Sequence, residues 1–232
     1  VDGFILFCFA EEDETLEQAR RRGLPLVTVD SARAPGAPSV GIDDAGAAAE
    51  AARHVLWLGH RRIAILSTEL VKDGRVGPVS PGRAARATAA GGRARLAGYR
   101  AALTEAGLDP EAVPVFETEN DRGSVEAAIR FLFDRPEPPT ALLAMSDVIA
   151  LGALDALAAR GLRAPSDVSI VGFDDGPEAV RAHPPLTTVG QPAEEKGRAA
   201  AEMLLGLRPP GDLVLPAALV RRATCGPPPP ER

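Results

Sequence analysis

The chain has 232 residues, 45% of which are hydrophobic, and a formal net charge of −6 at pH 7. This length and apolar content suffice for one large α/β domain or for two lobes of about 100 residues each. The acidic balance argues against nucleic-acid binding by this segment, and the early apolar run over 4–10 is too short to span a bilayer, so we expect a soluble, cytoplasmic protein.

Short apolar runs alternate with longer amphipathic stretches, which is typical of parallel sheets with crossover helices. Strands are predicted over residues 4–9, 24–30, 62–67, 113–117, 141–145, 169–173 and 213–220. Helices are predicted over residues 14–22, 45–58, 93–106, 124–133, 147–160 and 194–207. Residues 181–192 are expected to form an extended crossing segment because Pro184 and Pro185 exclude a helix.

Two stretches fit no regular element. Residues 68–92 mix glycine, proline and alanine with scattered charge, so we predict a long loop, either a lid or a surface insertion. Residues 225–232 contain four consecutive prolines and are predicted to be a disordered tail.

No catalytic or metal-binding pattern is found in the sequence. His54, His60 and His183 are dispersed, and the sequence contains no G-x-S-x-G elbow, P-loop or G-x-G-x-x-G turn. Cys8 and Cys225 are interpreted as a buried small residue and a tail thiol. The sequence therefore predicts no enzyme, no metal site and no cofactor.

Acidic clusters fall into two groups. Glu11–Glu14 and Asp43-Asp44 precede helices, where carboxylates cap backbone amides. Asp174-Asp175 instead follows an apolar strand, and ligands of open α/β sheets bind beyond the carboxyl ends of the strands. The side chains expected at such strand ends, with Arg95 nearby, are Phe7, Ser31, Arg33, Glu119, Asn120, Ser146, Asp147, Asp174 and Asp175. This set is rich in hydrogen-bonding groups and suits the binding of a polyol.

Longer strings in the chain resemble the LacI family of bacterial regulators. They are VDGFIL, GLPLVTVD, D-x-x-G-x-x-x-A ending in LGHRRIAIL, RARLAGYRAAL, PTALLAMSDVIALGALDAL, SDVSIVGFDD, PPLTTVGQP and LPAALVRRAT. They follow the family's order and spacing from about Val1 to Thr224.

The resemblance implies a type I periplasmic-binding-protein-like fold, with two α/β lobes joined by three crossing strands and an effector in the cleft. The N-terminal lobe would hold residues 1–42 and 191–212, and the C-terminal lobe 43–190 and 213–224. We expect the first lobe to be incomplete, because the family places a helix-turn-helix and a first β-α-β portion ahead of VDGFIL. A homodimer would then contact operator DNA only through that helix-turn-helix.

The resemblance also implies roles for individual residues. Arg95 matches the family arginine that grips effector hydroxyls, and Asp174 matches its ligand-binding aspartate. Ser146 stands where the family often has asparagine before the aspartate that is Asp147 here, which suggests a different effector. No stacking aromatic accompanies Glu119. The predicted ligand-binding set is Arg95, Asp174, Ser146, Asp147, Glu119, Asn120 and Phe7.

Three functions remain open. The first is the sensing core of a transcriptional repressor whose effector, a sugar or sugar derivative, shifts operator affinity. The second is a periplasmic sugar-binding protein of a transport system. The third, an enzyme using Asp174 and Asp175 as a carboxylate pair, is disfavoured because neighbouring strand residues point to opposite faces.

Overall fold

The computed structural model describes residues 1–10, 14–32 and 34–230, which form two separate β-sheets flanked by helices. The first sheet has the order β1-β2-β3-β10, and all its strand pairs are parallel. Its strands are β1 (Phe4–Phe7), β2 (Leu26–Val29), β3 (Ser39–Ile42) and β10 (Asp212–Leu215). The predicted α/β class with parallel sheets is confirmed.

The second sheet has the order β11-β9-β8-β7-β4-β6-β5. Its strands are β4 (Ile63–Ser67), β5 (Gly77–Pro78), β6 (Val115–Glu117), β7 (Ala141–Ala144), β8 (Ser169–Asp174), β9 (Thr187–Gly190) and β11 (Ala218–Val220). The five central strands are parallel, and the two outermost strands, β5 and β11, pair antiparallel with their neighbours.

Eight helices are found among the described residues. They are α1 (Glu14–Arg21), α2 (Asp44–Trp57), α3 (Pro81–Ala84), α4 (Ala90–Glu105), α5 (Arg122–Phe133), α6 (Asp147–Ala159), α7 (Pro177–Arg181) and α8 (Ala193–Leu204). The six predicted helices are confirmed with small shifts at their ends, and the short α3 and α7 were not predicted. None of the helices in the described ranges is long and apolar enough to cross a membrane.

The second sheet is buried on both faces. Ile65, Leu143 and Val171 pack with α2 and α4 on one face, and the alternate strand residues pack with α5 and α6 on the other. Because alternate strand residues point to opposite faces, a strand covered on both sides needs a continuous apolar run. This requirement accounts for the sequences IAILS over β4 and ALLA over β7.

Helices α2 and α4 pack closely enough to require a glycine. A Cβ atom at Gly98 would lie 2.1 Å from the carbonyl oxygen of Ala45, so any side chain there would force the helices apart. This contact places the middle of α4, which includes Arg95, beside the start of α2.

The first sheet is covered more thinly. Helix α8 packs Ala199 and Ala200 against Val27 and other residues of one face. Helix α1 packs Leu16 against residues of the opposite face, including Leu6 of β1. These clusters are small compared with the core around the second sheet, so less apolar surface stabilises this part of the chain.

The prediction of a single strand over 213–220 is wrong. Residues Asp212–Leu215 pair with β3 in the first sheet, and Ala218–Val220 pair with β9 in the second. Pro216 lies between them and cannot donate a backbone hydrogen bond, so the strand breaks there. The predicted lobe change at 212/213 therefore falls too early, and in this topology it occurs after Leu215.

Across the described ranges the chain passes between the two sheets three times. The passages run from β3 to α2, from β9 to α8 and from β10 to β11. The second passage lies within the predicted crossing segment 181–192, although β9 occupies part of that segment.

The prediction of an irregular loop over 68–92 is also wrong in part. The segment contains β5, α3 and the first turn of α4, and Leu70 is fully buried in the core. Arg83, with a side chain only 4% exposed, forms ion pairs with the buried Glu117 and with Asp73. These contacts fix the segment to β6, the strand next to the sheet edge.

The proline-rich tail packs against the second sheet as far as it is described. The backbone of Gly226 donates to Ser169 Oγ, and its carbonyl oxygen lies 2.9 Å from His60 Nε2. Pro229 and Pro230 line a surface cavity beside Pro139. The prediction of disorder is therefore wrong for residues 225–230, while residues 231–232 lie outside the described part of the chain.

Candidate functional site

The arginine predicted from the sequence is held by three contacts near the carboxyl ends of β7 and β8, two central strands of the second sheet. Arg95 Nε donates to Asp44 Oδ1 at 2.8 Å, and its Nη1 donates to the carbonyl oxygen of Met145 at 2.5 Å. The guanidinium carbon lies 3.6 Å from the centre of the Phe173 ring. An arginine fixed by an ion pair, a carbonyl and an aromatic face loses little further side-chain entropy when it binds a ligand.

Asp174 lies beside this arginine, at the end of β8. Its Oδ1 is 4.0 Å from Arg95 Nη1 and accepts a hydrogen bond from Gln191 Nε2 at 2.6 Å. The backbone of Asp174 has a φ of 123°, a strained conformation for a residue with a side chain. Burial raises the pKa of this carboxyl above its usual range, and Arg95 opposes that shift. The structure thus brings Arg95 and Asp174 together.

A series of hydrogen-bonded polar side chains, called the polar chain below, connects Asp174 to the first sheet. It was not predicted from the sequence. Gln191 bridges Asp174 and Lys196, and Lys196 Nζ in turn donates to Asp30 Oδ2. The Lys196 side chain is only 4% exposed. Because Asp30 follows β2 and Asp174 ends β8, the chain of contacts joins the carboxyl ends of strands in both sheets.

Asp44 was also missed as a site residue. The sequence reading treated Asp43 and Asp44 as helix-capping acids, and Asp43 does cap α2, accepting from Gly46 N at 2.9 Å. The carboxylate of Asp44 instead pairs with Arg95, with 13% of its side chain exposed. Burial raises the pKa of Asp44, and the neighbouring arginine lowers it.

Ser146 and Asn120 contact each other. Ser146 Oγ donates to the side-chain oxygen of Asn120 and also accepts from Ile149 N at 3.2 Å, which makes Ser146 the N-cap of α6. Asn120 adopts a left-handed backbone conformation with a φ of 58°. Ser146 therefore stabilises the start of α6 as its N-cap, independently of any contact with a ligand.

Asp147 lies behind the site rather than in it. It is 5% exposed, and its carboxylate accepts hydrogen bonds from Thr188 Oγ1 and from Gly176 N. Burial is the main cause that raises the pKa of Asp147 to about 6. A Cβ atom at Gly172 would lie 2.4 Å from Asp147 Oδ1, so the neighbouring strand leaves room for this carboxylate. Asp147 supports the turn after Asp174, and the structure does not open it to a ligand.

The other predicted strand-end residues are dispersed. Glu119 is exposed, Phe7 is 61% exposed at the end of β1, and Asp175 pairs with Arg222 at 2.6 Å. Ser31 Oγ is bonded to the backbone of Val29 within the first sheet region. Arg33, like Glu11–Asp13 of the first acidic cluster, lies outside the described residues.

The two cysteines differ in exposure, and Cys8 is not the buried residue that the sequence predicts. Cys8 is exposed rather than buried, and its backbone N–H donates to the carbonyl oxygen of Val29, the residue before Asp30, at 3.0 Å. Cys225 is half-buried, and its Sγ lies 3.2 Å from the carbonyl oxygen of Ile170. No cluster of three metal-ligating side chains occurs within the described ranges.

Comparisons with known proteins agree on one family. Residues 52–225 match the model of the periplasmic binding protein-like domain. An HTH-type transcriptional regulator from Mycobacterium tuberculosis is 38% identical over 98% of this chain, and the chain spans 64% of that relative's length.

Solved structures share the fold. A LacI-family transcriptional regulator from Corynebacterium glutamicum superposes with a TM-score of 0.91 and 34% identity, covering 97% of this chain and 68% of that one. The regulator CelR in complex with cellobiose gives a TM-score of 0.77 and 33% identity, covering 97% of this chain and 66% of that one. Together these matches show that the chain belongs to the periplasmic-binding-protein-like family, as an effector-binding core of the LacI type.

Proposed function

We propose that this chain is the small-molecule-sensing core of a cytoplasmic DNA-binding repressor, and that its effector is a sugar or sugar derivative bound between the two sheets. The relatives support this proposal because they are transcriptional regulators, and one of them, CelR, was solved with cellobiose. The alternative of a transport-associated binding protein gains no support from them.

One observation carries the proposal, namely the pre-positioned pair of Arg95 and Asp174. The guanidinium can donate to a hydroxyl oxygen, and the carboxylate can accept the proton of the same or a neighbouring hydroxyl. Their separation of 4.0 Å leaves them without a direct hydrogen bond in this structure. A vicinal diol fits such a donor–acceptor pair, whereas a purely apolar ligand does not.

The polar chain from Asp174 to Asp30 offers a route from binding to a change of shape. Asp174 ends β8 of the second sheet, and Asp30 follows β2 of the first sheet. A ligand that contacts both carboxylates would favour the arrangement in which the two sheets lie close to the ligand. Differential affinity for two arrangements is all that a two-state switch needs. In a full-length homodimer, this shift would alter the relative position of two helix-turn-helix heads on an operator.

The remaining predicted contacts are secondary in this proposal. Ser146 and Asn120 would present polar atoms at the rim of the cleft on the second sheet, with Glu119 next to Asn120 in sequence, and Phe7 would contribute from the end of β1 on the first sheet. Asp147 would act on Asp174 through the turn that it supports.

Isothermal titration of the full-length protein with free sugars, disaccharides and polyols tests the proposal, with the hits repeated on Asp174→Asn. We expect at least one binder and a loss of affinity of roughly 10- to 100-fold in the variant, since a hydrogen bond to a charged group contributes about 1.5–3 kcal/mol. The matched control is Asp155→Asn, because Asp155 pairs with Arg122 on the surface and is 60% exposed. The proposal fails if no compound binds, or if Asp174→Asn binds as tightly as the control.

A further inference from the structure

Arg95 and Asp174 carry opposite charges and lie close together, yet they do not form a direct hydrogen bond. Asp174 Oδ1 is 4.0 Å from Arg95 Nη1, whereas a hydrogen bond between two such groups spans about 2.7–2.9 Å. Opposite charges at this separation attract each other, and partial burial weakens the screening by solvent. Other contacts must therefore hold the two groups apart.

Both sides of this gap are held in place. Arg95 is fixed by an ion pair, a backbone carbonyl and an aromatic ring. On the opposite side, Gln191 Nε2 donates to Asp174 Oδ1 at 2.6 Å. Gln191 thus binds the same carboxylate oxygen that Arg95 attracts, and the two donors compete for it.

Lys196 determines which end of the Gln191 amide faces Asp174. Its ammonium group has three donors and no acceptor, so the amide oxygen of Gln191 must face it. The amide nitrogen is thereby directed at Asp174, where it donates. Lys196 is itself 3% exposed and is anchored by Asp30, which follows β2 of the first sheet.

We infer that Lys196 is a positioning residue, which through Gln191 keeps the Asp174 carboxylate from closing onto Arg95. The inference rests on the proposed function and adds a residue to the same site. A direct ion pair between Arg95 and Asp174 would occupy the donors and the acceptor that ligand hydroxyls need. An effector would then have to break that pair before it could bind, so the gap is a form of preorganisation.

Crystal structures of unliganded full-length variants test the inference without any ligand. Gln191→Leu removes the bridge and leaves the pair of Lys196 and Asp30 in place. We expect Asp174 Oδ1 to move to within about 3 Å of Arg95 Nη1.

A double variant tests the anchor of the bridge. Asp30→Asn with Lys196→Met removes both charges together, so that neither is left buried without a partner. The Gln191 amide then loses its fixed position, and we expect the gap between Asp174 and Arg95 to close here as well. A separation that stays at the wild-type value in either variant overturns the inference.

Titration calorimetry with cellobiose, glucose, ribose and myo-inositol adds a functional readout. For a compound that binds the wild type, we expect Gln191→Leu to lower the affinity roughly tenfold, because the ion pair must first be broken. In the Asp174→Asn background, Gln191→Leu should change the affinity by less than about twofold, because no charged carboxylate remains to close onto Arg95. A merely structural role of Gln191 would give equal losses in both backgrounds and would overturn the inference.

Arg198→Met on the same helix, α8, is the matched control. Arg198 is 59% exposed in its pair with Glu194, so its loss should change neither the gap nor the affinity. If none of the four compounds binds the wild type, the proposed function fails for these sugars, and the crystal structures still decide whether Lys196 holds the gap open. An unchanged gap in a protein that binds one of the compounds overturns the positioning role alone.

Discussion

The two sheets of this protein are stabilised to different degrees. Strands β4 and β7 of the second sheet are fully buried, between α2 and α4 on one side and α5 and α6 on the other. In the first sheet, Ile5 is 44% exposed and Val214 is 68% exposed. Because burial of apolar surface dominates folding, most of the stabilising free energy belongs to the second sheet. The first sheet is stabilised by smaller apolar clusters.

The largest effect that would sharpen this comparison is expected at the edge of the second sheet. Arg83→Met leaves the Glu117 carboxylate buried without its partner, and breaking a buried pair in this way costs about 3–5 kcal/mol. Urea denaturation measures the loss. Arg122→Met is the control, since that arginine is 73% exposed in its pair with Asp155 and should cost less than about 1 kcal/mol. Equal losses would mean that residues 68–92 are not anchored by this pair.

A matched pair of leucines tests the comparison directly. Leu142 in β7 is fully buried, whereas Leu6 in β1 is 8% exposed and belongs to a small cluster. We expect Leu142→Ala to cost about 3–5 kcal/mol and Leu6→Ala about 2 kcal/mol, because the thinner layer can relax into the space left behind. Urea denaturation of both variants provides the measurement. If the two substitutions cost the same, the first sheet is packed as firmly as the second.

The smallest expected effect is a pH dependence confined to the second sheet. Asp147 has its pKa raised to about 6 from 3.8, so between these pH values the folded state binds a proton that the unfolded chain does not. Its contribution to stability is therefore present at low pH and is lost as pH rises through about 6.

Unfolding free energies of the wild type and Asp147→Asn between pH 4 and pH 7 measure this contribution. The advantage of the wild type should shrink by roughly 2 kcal/mol across that range. The same comparison with Asp155→Asn should show no such trend. A constant difference for Asp147→Asn would mean that this carboxyl titrates normally.

Much of the fold could be predicted from the sequence where hydrophobic periodicity was strong. The run IAILS and the alanine-rich helix over α2 were located almost to the residue, because full burial imposes a continuous apolar pattern. Strands β3 and β9, with sequences SVGI and TTVG, were missed since they are short and contain small or polar residues. The segment 68–92 was read as a loop because its order depends on Glu117, which is distant in sequence.

In the candidate site too, local motifs were predictable from the sequence, and contacts between residues distant in sequence were not. Arg95 and Asp174 were identified because each sits in a specific motif, and the structure places them side by side. The pairing of Asp30 with Lys196 joins residues separated by 166 positions, and no local sequence pattern predicts such a contact. The only hint was compositional, since Lys196 is one of two lysines in an arginine-rich chain.

The repeated passage of the chain between the sheets has a consequence for how the protein can be cut. Since the described chain crosses three times, neither sheet is built from one continuous stretch of sequence. A protease that nicks one crossing leaves the two sheets joined by the other two peptide connections. Limited digestion at a crossing should therefore yield a nicked protein that still migrates as one native species, and the halves should separate on a denaturing gel.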